Sequence, residues 1–216
     1  MRGLLRKDWY MTLRYGKFFL AFVLIYAVIA AFSEMGMLFS LINVMIGGML
    51  VKTLISYEEQ SKWDSMAVYL PVTAECIVAE KYVVGLISVA LTSLLTAGTI
   101  AAACSLSGRG AVLPFGSHVL LLMGAGTLWL ALEMPVLFKF GVNKGRIWFA
   151  LLTALIAGLI GGAGMAGTGR FGEGLGQTGL SAPALTGSMA AFLAAAAALI
   201  ALSIRLSVHF FRKREF

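Results

Sequence analysis

The chain is read as an all-α integral membrane protein with six transmembrane helices, both termini cytoplasmic, an N-terminal interfacial helix and a short helix in a cytoplasmic loop. Composition is the first reason. Of 216 residues, 60% are hydrophobic and only 12% are charged, whereas soluble domains carry about 25% charged residues. The second is continuity, because long uncharged stretches recur along the whole length and leave no room for a sizeable soluble domain. The third is the sorting of charge between alternate loops. The whole of 1–216 is therefore treated as one transmembrane domain.

A helix needs about 20 apolar residues to cross the hydrocarbon. Six stretches approach or meet that length: 16–33, 36–56, 82–104 (with a helical lead-in from Thr73), 116–138, 146–165 and 184–208. The hairpin Ser33-Glu34-Met35-Gly36 joins the first two. With an even number of spans the termini share a side with the loops at 57–81 and 139–146. That side holds 15 of the 17 Lys and Arg residues, leaving only Arg109 and Arg170 opposite. The positive-inside rule makes the rich side cytoplasmic. It also accounts for the net charge of +7 without nucleic acid.

The first 15 residues mix Leu4, Leu5, Met11 and Leu13 with Trp9, Tyr10 and cations around Asp8. That composition suits a helix in the inner interface with its aromatics at headgroup level; a basic topological anchor is the plainer alternative. A cleaved signal peptide is not expected, since the apolar run lacks a small-residue cleavage site and leads into a second span. Cys76 and Cys104 fall near opposite ends of one predicted helix. At about 1.5 Å per residue they are roughly 40 Å apart, too far for a disulfide.

The loop at 57–71 is compact, charged and aromatic: Tyr57-Glu58-Glu59-Gln60-Ser61-Lys62-Trp63-Asp64, closing on Leu70-Pro71. Ser56-x-x-Glu59 resembles a capping box, so a short helix is expected from Glu58 to Tyr69, ended by Leu70-Pro71. Two readings fit. One is a rigid peg that takes force from a cytoplasmic partner, because Trp63 is a poor residue to leave in water. The other is a solvated connector that places charge on the positive side.

Several motifs resemble the small bacterial ABC-2 type exporter permeases, most closely those of phenol-soluble-modulin exporters. They are Leu5-x-Lys7-Asp8-Trp9, Tyr57-Glu58-Glu59-x-x-Lys62-Trp63-Asp64 with Leu70-Pro71-Val72, Ile77-Val78-x-Glu80-Lys81-Tyr82, and Pro135-x-x-Phe138-Lys139-Phe140-Gly141-x-x-Lys144-x-Arg146. The resemblance covers almost the full chain and thins over the last 50 residues. It implies a permease that dimerises with a second copy or a paralogue and docks cytoplasmic ABC ATPase subunits. The 57–71 loop becomes the coupling helix, with Trp63 its apolar anchor, Glu58, Glu59, Lys62 and Asp64 setting register, and Leu70-Pro71 closing it. The turn bearing Lys139, Gly141, Lys144 and Arg146 becomes a second cytoplasmic contact. The implied substrate is an amphipathic or hydrophobic peptide, with a lipid or small drug as alternatives.

No catalytic constellation is present, and no cofactor is expected in this chain. It has no G-x-x-x-x-G-K-[ST], so ATP and Mg belong to the partner ATPase. Gly167-Thr168-Gly169-Arg170-Phe171-Gly172 fits G-x-G-x-x-G but has no preceding strand and falls on the external side. His118 and His209 are too isolated for a metal site. The Gly-rich external segment 166–183 overlaps a stretch, 161–179, in which 9 of 19 residues are glycine. A re-entrant or broken gating element and a flexible outer loop fit it equally.

Glu133 is the carboxylate deepest in a predicted span, where an ionised group must face protein, water or a cation. A salt bridge toward Lys139 or a kink at Pro135 is the plain expectation; a contact in the substrate path or coupling relay is the other. Gly158 with Gly162, and Gly187 with Ala191 and Ala195, permit close helix packing within or between chains. The rival functions are a stand-alone channel or secondary transporter, a membrane enzyme, and a non-transporting immunity or assembly protein. The first calls for mid-membrane ionisable groups and the second for clustered His, Asp or Glu; neither pattern is convincing.

Overall fold

The computed structural model describes residues 2–33, 36–63, 66, 73–107, 114–166 and 182–212; at a few positions, at 143, 144 and 146, and over most of 149–190 this covers the backbone only. The long elements are all helices: α1 Arg2–Phe32, α2 Gly36–Gln60, α3 Ala74–Ser107, α4 Phe115–Ala166 and α5 Ala182–Arg212. Among the described residues, four segments are long and apolar enough to cross a membrane: Gly36–Gln60, Ala74–Leu106, Phe115–Val142 and Ala191–Phe211. A fifth is gained if the bent pair Gly3–Arg14 and Gly16–Phe32, which meet at 63°, counts as one span. The bend falls where the sequence separates a mixed basic and aromatic segment from an uninterrupted apolar one.

The loop expected at 139–146 is not a loop. Helix α4 runs from Phe115 to Ala166 with a single non-helical residue, Gly141, at φ 73° and ψ 171°. A glycine tolerates this left-handed φ without a Cβ clash, so one residue breaks the helix where a turn of several was expected. The predicted span at 146–165 lies in the helical stretch beyond this break, with most of its side chains outside the described residues. The Gly-rich 167–181 also lies outside them. Cys76 and Cys104 are free thiols on α3, as their spacing requires.

Helix α3 packs on all four other helices and α5 also on α4, while α2 packs on α1, α3 and α4. The buried positions of α2, Ser40, Asn43, Val44, Gly47, Gly48, Val51, Leu54, Ile55 and Glu58, recur every three or four residues and are mostly small or polar. The apolar bulk points outward instead, as with Phe18, Phe22, Val28 and Phe32 on α1. In a bilayer this is the stable arrangement, because lipid solvates large apolar side chains while small residues let backbones approach. A Cβ on Gly47 would collide with Thr92 of α3, and one on Gly126 would lie 2.5 Å from Val44 and from Val89. Ser88 Oγ donates to the Gly47 carbonyl at 2.6 Å across the same crossing. Deeper in the bundle, Asn43 Nδ2 donates to Val23 O at 3.1 Å and to Thr96 Oγ1 at 2.8 Å, joining α1, α2 and α3.

Pro135 lies inside α4. Having no N–H, it leaves the Ala131 carbonyl without its helical partner. Ser203 of α5 donates to that carbonyl at 2.6 Å. The Ser203 hydroxyl has only one proton, so Tyr82 of α3, whose OH is 2.6 Å from Ser203 Oγ and 2.8 Å from Ser207 Oγ, must donate to Ser203 and accept from Ser207. A proline on one helix is thus answered by hydroxyls on two others. Ser203→Ala is expected to destabilise the chain by about 1–3 kcal/mol, because it strands a buried carbonyl. Pro135→Ala in the same chain restores the helical donor and recovers most of that loss. Unfolding titrations in mild detergent check this, with additive losses as the contrary result.

Candidate functional site

The largest apolar core gathers at the end of the bundle that carries the charged motifs. Leu4, Val51, Ile55, Ile77, Val78, Tyr82, Met134, Phe138 and Phe211 converge there from all five helices, with Trp63 packed against them. Helix α2 runs through Ser56, Tyr57, Glu58 and Glu59 to Gln60 without interruption. No new helix starts at Glu58, and Ser56 does not cap one. Nothing in the 56–60 sequence breaks a helix, so α2 continues until Lys62 takes a positive φ of 53°. Ser61 N–H then donates to Tyr57 O at 3.0 Å and Lys62 N–H to Glu59 O at 3.2 Å, closing the helix end. Helical structure resumes at Trp63 and Met66.

A buried ion cluster fixes this helix end in place. Lys81 of α3 is 2% exposed, and its Nζ lies 2.7 Å from Asp8 Oδ2 and 2.7 Å from Glu58 Oε1. Lys7 closes the ring by pairing with Glu58 and lying 3.5 Å from Asp8 Oδ1. Its ammonium also sits 4.3 Å from the centroid of the Trp63 ring. The cluster joins the N-terminal helix, the last turn of α2 and the first turns of α3. Glu80 is buried beside Asp8 at the edge of the cluster.

Glu58 and Glu59 are adjacent, so their side chains leave α2 about 100° apart and reach different neighbours. Glu59 Oε2 accepts the N–H of Val142 at 3.0 Å. That amide opens the helix beyond Gly141, so the carboxylate caps a helix N-terminus. Phe140 and Trp148 stack across the same break, with centroids 5.8 Å apart and planes at 20°. Lys139 sits 5.0 Å from the Phe140 ring and 5.2 Å from Phe210 of α5. Lys144 and Arg146 lie on the helix after the break, their side chains outside the described residues.

Glu133 pairs with a residue the sequence reading did not single out. Its Oε1 is 3.8 Å from Lys52 Nζ of α2, and Lys139 is engaged with aromatic rings instead. A cation one helix over satisfies a carboxylate more directly than one beyond a proline on the same helix. The signal was present: Lys52 and Glu133 are the charges furthest inside their predicted spans.

The structure therefore brings Glu58, Glu59, Trp63, Lys139 and Gly141 to one end of the bundle and joins the two expected cytoplasmic contacts through Glu59. Gln60, Ser61 and Lys62 are exposed there. Asp64, Leu70 and Pro71 lie outside the described residues. In the sequence Asp8 and Lys81 stand only as parts of motifs, and Asn43 belongs to none. A charge at the mouth of an apolar run marked the first two; a lone amide between apolar residues marked the third. Among the described residues no three His, Cys, Asp or Glu side chains are placed to hold a metal ion.

Lys81→Met should destabilise the chain by about 3–5 kcal/mol, since it leaves two buried carboxylates facing each other. Adding Asp8→Asn should return part of that loss, because Glu58 keeps Lys7. Denaturant unfolding of the single and double variants measures the coupling, and strict additivity would argue against the cluster.

No curated protein and no solved structure matches the chain. A family does: residues 3–212 match the ABC-2 family transporter proteins. With apolar helices long enough to span a bilayer and a match over nearly its whole length, the chain belongs to the ABC-2 transporter family as a multi-pass membrane protein.

Proposed function

We propose that the chain is the permease subunit of an ATP-driven exporter in the plasma membrane, with ATPase activity and its ATP and Mg supplied by separate cytoplasmic subunits. Family membership carries this reading, and the strongest structural support is the anchoring of the segment after α2. A segment that receives force must not yield at its base. Here that base is held by Lys81, Asp8, Lys7 and Glu58 and leads directly to exposed Gln60, Ser61 and Lys62.

The six apolar stretches are its six spans, and with that even number the charge asymmetry, 15 of 17 cations on one side, supports cytoplasmic termini. The Gly3–Arg14 segment lies in the inner interface, and its exposed Trp9 and Tyr10 suit headgroup depth. Lys62 and Asp64, with 70–71, meet the ATPase. Buried Glu58 and amide-bound Glu59 act within the permease, and half-buried Trp63 joins the two regions. Two permeases form the transport unit, as a homodimer or with a paralogue, and the cargo is an amphipathic or hydrophobic peptide. These last points follow the resemblance of the cytoplasmic motifs to peptide-exporter permeases.

Pull-down of the tagged chain from gently solubilised native membranes should recover an ABC ATPase. Lys62→Ala with Asp64→Ala should reduce recovery by roughly tenfold, as for loss of a small interface hot spot, while the permease remains folded. Absence of any ATPase across several detergents would overturn the exporter reading in favour of a stand-alone channel.

A further inference from the structure

We propose that Glu59 is a positioning residue that makes the end of α2 and the break in α4 move as one body. Three observations converge. The Glu59 carboxylate accepts the first amide after the break, Val142 N–H, across 83 residues of sequence. That amide has lost its place in the helical ladder, because Gly141 at φ 73° interrupts α4 immediately before it. The break is also braced on its own helix by the Phe140–Trp148 stack, so it has a defined geometry for Glu59 to hold.

The opposite end of the link is equally constrained. Glu58, one residue earlier, is pinned between Lys7 and Lys81. The positive φ of Lys62, two residues beyond Gln60, ends α2 before helical structure resumes at Trp63. Any displacement applied beyond Lys62 therefore reaches the last turn of α2 as a rotation or tilt. Glu58 and Glu59 turn together, the first against α1 and α3, the second against the break. Val142 is buried and gives its N–H to Glu59, so Glu59 is a handle through which the second half of α4 follows.

The link makes the two cytoplasmic contacts a single device instead of two separate docking points. It takes the exporter reading only as the source of the displacement; the link itself is a property of this chain alone. A cap that served stability only would lower the unfolding midpoint when removed without changing how the two segments sit relative to each other.

The test uses the full chain in lipid nanodiscs, with Cys76→Ser and Cys104→Ser. Spin labels go on exposed positions through Gln60→Cys and Ile147→Cys, and pulsed electron resonance reads their distance distribution. A control pair, Leu20→Cys and Leu94→Cys, reports on α1 and α3 away from the break. Glu59→Ala should broaden the 60–147 distribution at least twofold and leave the control pair unchanged. Glu59→Gln keeps an acceptor oxygen and should preserve a narrow distribution. A narrow 60–147 distribution in Glu59→Ala, or equal broadening of both pairs, would overturn the proposal. Neither result depends on an ATPase, so failure to capture one would remove the exporter reading and leave this measurement decisive.

Discussion

Everything at the charged end of this protein hangs on one buried ammonium. Lys81 stands almost fully out of solvent with a carboxylate on either side, Asp8 from the N-terminal helix and Glu58 from α2. Burying ions is expensive, and such a cluster is not by itself a stabilising device compared with an apolar one. What it supplies is uniqueness of arrangement. The three segments also share an apolar core through Leu4, Ile55 and Ile77, but apolar contacts tolerate sliding, whereas the paired charges are satisfied only in this relative placement. Lys7 extends the arrangement to the Trp63 ring, and through adjacent Glu59 it extends to the break at Gly141.

Deeper in the bundle the same logic uses neutral groups. Asn43 ties α1 to α3, and Ser203 with Tyr82 answers the carbonyl that Pro135 leaves open. Lipid gives no hydrophobic force between helices, so close packing at Gly47 and Gly126 and these few hydrogen bonds determine which faces meet. The outward face of α1, with Phe18, Phe22 and Phe32, is left to the surroundings. The proposed exporter role would use both properties: a charged end that passes displacement on without yielding, and helix contacts few enough to rearrange.

Much of this was legible in the residues. The apolar runs located the long helices, and the change from mixed to purely apolar composition near Gly16 located the bend in α1. The charged segment after α2 stood out as a site. Its internal wiring did not, because ion pairs separated by 23 to 73 residues leave no periodic trace. Glu58 and Glu59 look alike in sequence, yet neighbouring positions on a helix face different partners. The capping-box pattern at Ser56 misled because that motif marks a helix start only where the chain is not already helical. The expected turn at 139–146 collapsed into Gly141, since a glycine surrounded by helix-compatible residues breaks a helix with no loop composition to announce it. Glu133 found Lys52 across the bundle, where the sequence suggested a partner along the same helix.

Hydrogen exchange read by mass spectrometry, on the chain in nanodiscs, tests most directly whether Lys81 holds the charged end together. On Lys81→Met, amides in Gly3–Arg14 and in the last turn of α2 should lose protection together, while the Asn43 region keeps its own, as separate cooperative units do. Unchanged protection in the N-terminal helix, or loss spread evenly over all helices, would contradict the account.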